Sequence, residues 1–149
     1  VIKSKKGPYG HELGVLDASA LEKGDVVATV SINHMGSSPT IYIVDRVTAT
    51  QVVMTGERSP RFRRDTGVQV GDRWSARLLP MNDPEVLRAL QGVTARNAAA
   101  QIEKLSTALA DRKADHQRTL ELCAEISQVA SEAAARLREI EATPRSVSK

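Results

Sequence analysis

Arginines concentrated between positions 58 and 77 are the residues of this chain best suited to chemistry. Four of them fall within seven residues that contain no acid, and two more follow on the next predicted strand. Arginine binds phosphate or carboxylate through paired hydrogen bonds, and three lysines near residue 1 add positive charge. We therefore expect a basic patch that binds a macromolecule. Its predicted members are Arg58, Arg61, Arg63, Arg64, Arg73, Arg77, Lys3, Lys5 and Lys6.

Two aromatic residues lie among these arginines and leave two interpretations open. If exposed, Phe62 and Trp74 would stack on nucleic-acid bases while the arginines hold the phosphates. Alternatively, both rings belong to the core, and the arginines pair with Glu57, Asp65 and Asp72 on a solvated rim. Because only 3% of the chain is aromatic, we expect the core to need these rings more than a ligand does.

Patterns typical of catalysis and metal binding are missing from the sequence. It has no glycine-rich phosphate loop with its lysine, no Ser/His/Asp arrangement and no paired carboxylates that suggest an active site. His11, His34 and His116 lie far apart, and the lone Cys123 lacks the nearby ligands that a metal needs. We expect a protein that is not an enzyme and has no catalytic residue, metal, cofactor or small-molecule substrate.

The second half of the chain carries an apolar seven-residue repeat, which predicts a helix that associates with another helix. Three successive positions of the repeat are polar, namely Arg112, His116 and Thr119. Such layers can fix the register of a coiled coil; alternatively, residues 111–118 form a turn and the arm folds back as a hairpin. No glycine or proline marks a turn there, so we expect a continuous helix.

The apolar repeat also identifies the positions that we expect to mediate oligomerisation. A helix of this kind leaves its apolar stripe in water unless it packs on a partner, and a second copy is the simplest partner. Cys123 is interpreted as a small apolar residue of this interface. The predicted positions are Ile102, Leu105, Leu109, Leu122, Cys123, Ile126, Val129, Leu137 and Ile140.

The first half of the chain reads as short β-strands separated by turns. The best strand is Thr40–Val47, preceded by Val26–Val30 and followed by Gln51–Met54. The Gly- and Ser-containing stretch 33–39 is predicted to be a loop, and a last strand is predicted over 73–79. We therefore expect an α+β protein, with a small antiparallel SH3-like β-barrel followed by a long C-terminal helix or coiled coil.

The boundary between the two halves carries a strong helix start. Asn82 is placed to cap a helix that has Pro84 in its first turn and Glu85 as the partner in a capping box. A break is predicted at Gly92, with Thr94 capping a new helix. The expected segments are an extended basic arm at 1–20, the barrel at 21–81, a docking helix at 82–92, a long helical oligomerisation arm at 94–142 and a disordered tail at 143–149.

Charge and composition limit the cellular compartment and the class of partner that we expect. The net charge of +3 comes entirely from residues 1–80, which permits contact with nucleic acid without requiring it. A single cysteine favours a reducing compartment. No apolar run approaches the length of a membrane span, and Val1–Lys6 lacks the apolar region of a signal peptide. We expect a cytoplasmic protein without membrane contact.

Short motifs of the β-half resemble a known group of proteins. The run from Val44 to Val53, the stretch from Arg61 to Gly67, and the Val70-Gly71 pair follow an opening Gly24-Asp25-Val26. This pattern resembles small uncharacterised bacteriophage proteins that have a β-domain and a polar helical tail. The resemblance implies a phage or mobile-element origin, and hence the cytoplasm of a bacterial host. It implies no activity.

Together these features predict a non-enzymatic phage-type accessory protein. We expect it to act as an adaptor or inhibitor that binds a host or phage macromolecule and self-associates through its C-terminal helix. A protein partner is expected rather than nucleic acid. The alternatives are a nucleic-acid-binding module that uses the Arg-rich hairpin, and a structural virion or assembly component.

Overall fold

An antiparallel sheet and two long helices make up the part of the chain that the structure describes. The computed structural model describes residues 16–33, 36–71, 76–110 and 115–144. These divide into a sheet unit, which extends to Ala89, and a helical unit from Leu90 to Thr143. The α+β class is thereby confirmed. No helix in the described ranges is long and apolar enough to cross a membrane.

The sheet has five strands in the order β4-β3-β2-β1-β5, and all neighbouring pairs are antiparallel. A single turn of 3-10 helix, Ala18–Ala20, precedes them. The strands are β1 Val26–Asn33, β2 Gly36–Val47, β3 Gln51–Met54, β4 Arg61–Arg63 and β5 Leu79–Pro80.

One face of the sheet forms the core of this unit. Apolar residues that alternate along the strands turn their side chains to this face, as the two-residue period of a strand requires. Phe62 is fully buried and meets Tyr42 edge to face, with ring centroids 5.6 Å apart. The buried cluster comprises Ala18, Leu21, Val27, Val44, Val52, Met54, Phe62 and Leu78. Phe62 is therefore a core residue.

The sheet is not closed into a barrel within the described residues, and the predicted SH3-like barrel is therefore not found. Beyond β4, pairing is reduced to isolated bridges, Phe62 with Gln69 and Val68 with Arg77. The last strand, β5, has only two residues. Residues 73–75 of the strand predicted over 73–79 lie outside the described residues.

The hairpin of β1 and β2 is longer than the composition of the sequence predicts. Residues 36–39 belong to β2, although they were expected to lie in a loop. Antiparallel pairing runs from Val26 with Ile43 out to Asn33 with Gly36. This ladder supplies the backbone hydrogen bonds that override the weak strand preference of Gly, Ser and Pro.

Helix α1 runs from Pro84 to Leu109 without the predicted break at Gly92. A single glycine costs a helix only about 1 kcal/mol, too little to end one of this length. The capping residue is Asp83 rather than Asn82, because the Asp83 carboxylate accepts a hydrogen bond from the Glu85 backbone N–H at 2.8 Å. The prediction of two helices divided at 92–94 is therefore wrong.

Helix α2 runs from His116 to Ala142 and begins afresh after an extended residue. Asp115 has φ −73° and ψ 172°, and its carboxylate accepts from the Arg118 backbone N–H at 2.7 Å. The predicted continuous helix over 94–142 is therefore interrupted, as the hairpin alternative requires. Arg112 and the rest of 111–114 lie outside the described residues.

Candidate binding surfaces

A β-bulge in β2 places a basic residue on the outer face of the sheet. Val44 pairs with Met54 and Arg46 pairs with Val53, so one extra residue is inserted between the two pairs. Under strict alternation Arg46 would share the core face with Val44. The bulge instead turns it outward, and Arg46 is exposed while Val44 is buried.

Three arginines share this outer face. Arg46 and Arg61 both lie opposite Val53, one on each neighbouring strand, and Arg63 follows two residues after Arg61. All three arginines are exposed, whereas Val53 between them is only 5% exposed. Strand geometry sets Arg61 and Arg63 about 6.8 Å apart and places Arg46 about 9.6 Å across from Arg61. We call Arg46, Arg61 and Arg63 the arginine face.

The positive charges of this face are not neutralised within the described part of the chain. The side chains of its three arginines make no ion pair and no hydrogen bond there. The predicted pairing of the arginine cluster with Glu57 and Asp65 on a solvated rim is therefore not found. Lys23 and Asp45 form a long, exposed ion pair at 3.9 Å in the sheet unit.

Two other predicted members of the basic patch bind backbone carbonyl groups instead. Arg64 donates from Nη2 to the Ser19 carbonyl oxygen at 2.8 Å and from Nη1 to that of Thr48 at 3.4 Å. Arg77 donates from Nε to the Thr66 carbonyl oxygen at 3.1 Å. Their guanidinium groups hold turns in place, so they are poorly placed to bind a ligand.

Of the remaining predicted members of the basic patch, the structure describes only Arg58. Arg58 is exposed, in the turn that precedes β4. The other predicted members lie outside the described residues, namely Lys3, Lys5, Lys6 and Arg73. Trp74, the aromatic residue expected to accompany them, lies outside the described residues as well.

A shallow cleft of about 560 Å³ opens where β3 begins and β4 ends. Arg63 and Arg64 line it together with Thr50 and Gln51. Beside it, the hydroxyl and backbone N–H of Ser19 donate hydrogen bonds to the carboxylate of Asp17.

These hydrogen bonds, with a smaller attraction to Arg64, lower the pKa of Asp17. The cleft is thus lined by a hydrogen-bonded cation, Arg64, and by an exposed one without a partner among the described residues, Arg63.

In the helical unit, the apolar stripe is only partly buried. Leu122 and Ile140 are buried, with 1% and 9% of their surface exposed. Cys123 is exposed, so it is not part of the core of the chain. The other predicted oligomerisation residues are half-buried, namely Ile102, Leu105, Leu109, Ile126, Val129 and Leu137.

The two helices lie side by side. A cleft of about 330 Å³ is lined by Gln101, Lys104 and Leu105 from α1. Glu125, Gln128, Val129 and Glu132 of α2 complete its lining. Leu105 of α1 and Val129 of α2, both members of the predicted apolar stripe, therefore border this cleft.

The sequence analysis did not include Arg46 in the basic patch, because this residue lies outside the Arg-rich stretch. Strict alternation along the strand would also place it on the same face as Val44. In the described ranges, no cluster of three His, Cys, Asp or Glu side chains is arranged to hold a metal. No protein family, curated protein or solved structure matches this chain.

Proposed function

We propose that this chain is a non-enzymatic accessory protein of the phage type that self-associates through its helical unit. In this proposal it acts as an adaptor or inhibitor in the cytoplasm of a bacterial host and binds a host or phage protein. The observation that carries the proposal is the incomplete burial of the apolar stripe. The phage origin and the lack of catalysis rest on the sequence.

Two helices packed side by side cover only one side of each apolar stripe. Of the described stripe residues, Leu105 and Val129 are half-buried at the edge of the cleft between the helices. Burial of apolar surface stabilises an assembly by about 25 cal/mol per Å². Packing against the hairpin of a second copy would complete a four-helix bundle, in which such edges become core.

We further propose that the sheet unit is an SH3-like barrel. Backbone hydrogen bonds support this proposal, because they link β4 to the segment before β5. Arg63 N–H donates to Val68 at 2.8 Å, and Gln69 N–H donates to Ala76 at 2.8 Å. The Leu78 N–H donates to Gly67 at 2.9 Å. These bonds continue the pairing from β4 to the segment before β5, the strand that pairs with β1.

Sedimentation velocity of three full-length chains tests self-association. We expect the wild-type chain to be a dimer, Val129→Glu to be monomeric, and Leu120→Glu to remain dimeric. Leu120 is 52% exposed and does not line the cleft between the helices, so its substitution is the matched control. Circular dichroism checks that both variants keep their helix content.

A wild-type chain that stays monomeric at high concentration would contradict the proposal. If Leu120→Glu dissociates the dimer and Val129→Glu does not, the contact between the two copies lies on the other flank of α2. The same experiment addresses the alternative of a virion or assembly component, which requires a large closed oligomer rather than a dimer.

A further inference from the structure

The arginine face also points to a ligand of its own. We propose that Arg46, Arg61 and Arg63 form a binding site for the phosphate backbone of nucleic acid. This goes beyond the protein-binding role, because it assigns a ligand class to a surface that includes a residue far from the Arg-rich stretch. It does not depend on self-association.

The first argument is electrostatic. The three guanidinium groups are exposed and have no acidic partner among the described residues. They stand on paired strands above a buried core that includes Val52 and Phe62. Their backbone positions are therefore fixed before a ligand arrives, which lowers the entropic cost of binding.

The second argument is spacing. One strand of a DNA duplex carries one charge per about 3.4 Å of helix axis. The separation of about 6.8 Å from Arg61 to Arg63 runs along a strand, and that of about 9.6 Å to Arg46 runs across the strands. The three arginines therefore form a two-dimensional array, and the closely spaced phosphates of a duplex offer a charge within reach of each long side chain.

The same features favour nucleic acid over an acidic protein surface. Carboxylates on a protein surface lack the continuous row of charges that a nucleic-acid backbone presents. Phe62 is buried, so this side chain contributes no base stacking. We expect binding without sequence preference.

Arg64 and Arg77 are excluded from the site by their hydrogen bonds. Arg64 binds the carbonyl groups of Ser19 and Thr48, and Arg77 binds that of Thr66. The site therefore differs from the Arg-rich stretch of the sequence: it loses these two residues and gains Arg46.

Fluorescence anisotropy of a labelled DNA duplex, titrated with the full-length chain over a range of salt concentrations, tests the proposal. Each phosphate contact contributes about −0.9 to the slope of log K against log salt, so three contacts give about −2.7. Affinity should then fall about 40-fold between about 50 and about 200 mM NaCl. A duplex of scrambled sequence should bind equally well.

The decisive variant is R46Q/R61Q/R63Q, which should abolish detectable binding. Each single substitution should reduce the magnitude of the slope by about 0.9. The matched control is K104Q/R136Q/R138Q in the helical unit, which lowers the net charge from +3 to zero just as the triple variant does. The control should bind like the wild-type chain, and thermal unfolding should show that both variants are folded.

Three results would overturn the proposal. One is no binding by the wild-type chain at low salt, and another is equal loss of binding in the control, which would indicate nonspecific attraction. The third is that the wild-type chain binds polyglutamate but not the duplex, and that the triple variant no longer binds polyglutamate. That result would assign the arginine face to an acidic protein.

Discussion

Arg64 reaches across 45 positions of the sequence to bind Ser19, with its Nη2 2.8 Å from the Ser19 carbonyl oxygen. A second bond, from Nη1 to the Thr48 carbonyl oxygen at 3.4 Å, ties in the turn between β2 and β3. The Nε atom is buried and has no hydrogen-bond partner among the described residues. One side chain therefore joins the end of β4, the turn between β2 and β3, and the short 3-10 helix at Ser19.

Replacing Arg64 by alanine should destabilise the chain markedly. The substitution leaves two carbonyl groups without a charged donor, and a hydrogen bond to a charged group contributes about 1.5–3 kcal/mol. We expect Arg64→Ala to lower the free energy of unfolding by about 2 kcal/mol in urea titrations. Arg63→Ala is the control, since Arg63 is exposed and its side chain has no partner in the described structure, and it should change stability by less than about 0.5 kcal/mol. Equal effects of the two substitutions would contradict this role.

Asp83 should tolerate asparagine better than alanine. Its Oδ1 caps α1 through the Glu85 N–H, whereas Oδ2 is buried without a partner among the described residues. Asp83→Ala removes the cap and should cost about 1 kcal/mol. Asp83→Asn keeps the acceptor and removes a buried charge, so its cost should be smaller.

Chemical unfolding followed by circular dichroism compares the two Asp83 variants. If asparagine costs as much as alanine, the negative charge itself stabilises the start of α1.

Ser19→Ala should change the titration of Asp17. The Ser19 hydroxyl and backbone N–H hold the pKa of Asp17 below its ordinary value of 3.8. A carboxyl whose pKa is lower in the folded chain favours folding above its unfolded pKa, and this contribution is lost as the pH falls through the folded pKa. The substitution removes one of the two donors, so the Asp17 pKa should rise toward 3.8.

Side-chain carbon NMR measures this titration directly. Ser31→Ala, at a serine that bonds to Ser38 instead, should leave the Asp17 pKa unchanged. An unchanged pKa in Ser19→Ala would show that the backbone N–H alone is sufficient.

Cys123 should react readily with maleimide in the folded chain. It is exposed and lies one residue, about 100° around the helix, from the buried Leu122. Glu125 and Val129, which line the cleft between the helices, lie on the other flank of α2. Association through the cleft therefore leaves the thiol reactive at every protein concentration. Protection that grows with concentration would place the contact on the Cys123 flank.

The strands near tight turns could be predicted from the sequence, because local chemistry determines them. Strand β3, Gln51–Met54, was predicted to the residue. The core position of Phe62 followed from the scarcity of aromatic residues. The extent of β1 and β2 did not follow, because pairing between the two strands, rather than composition, brings Gly36 to Pro39 into the ladder.

The positions at which the helices begin and end likewise did not follow from local sequence patterns. The glycine at position 92 is tolerated inside α1, whereas the interruption before α2 is marked only by Asp115, a capping residue without a neighbouring glycine or proline. His116 and Thr119 occupied core positions of the predicted coil, yet they belong to the first turn of α2. A repeat of seven describes a face of a helix and does not say where that helix begins.

The bulge in β2 makes position 45 a place where the length of this strand can change without reversing its faces. Deleting Asp45 would leave Val44 opposite Met54 and Arg46 opposite Val53 in a regular ladder, so Arg46 would still point outward. A one-residue shift elsewhere in the strand would instead exchange its buried and exposed faces. Among homologues, we therefore expect gaps to be tolerated at position 45, even where the arginines themselves vary.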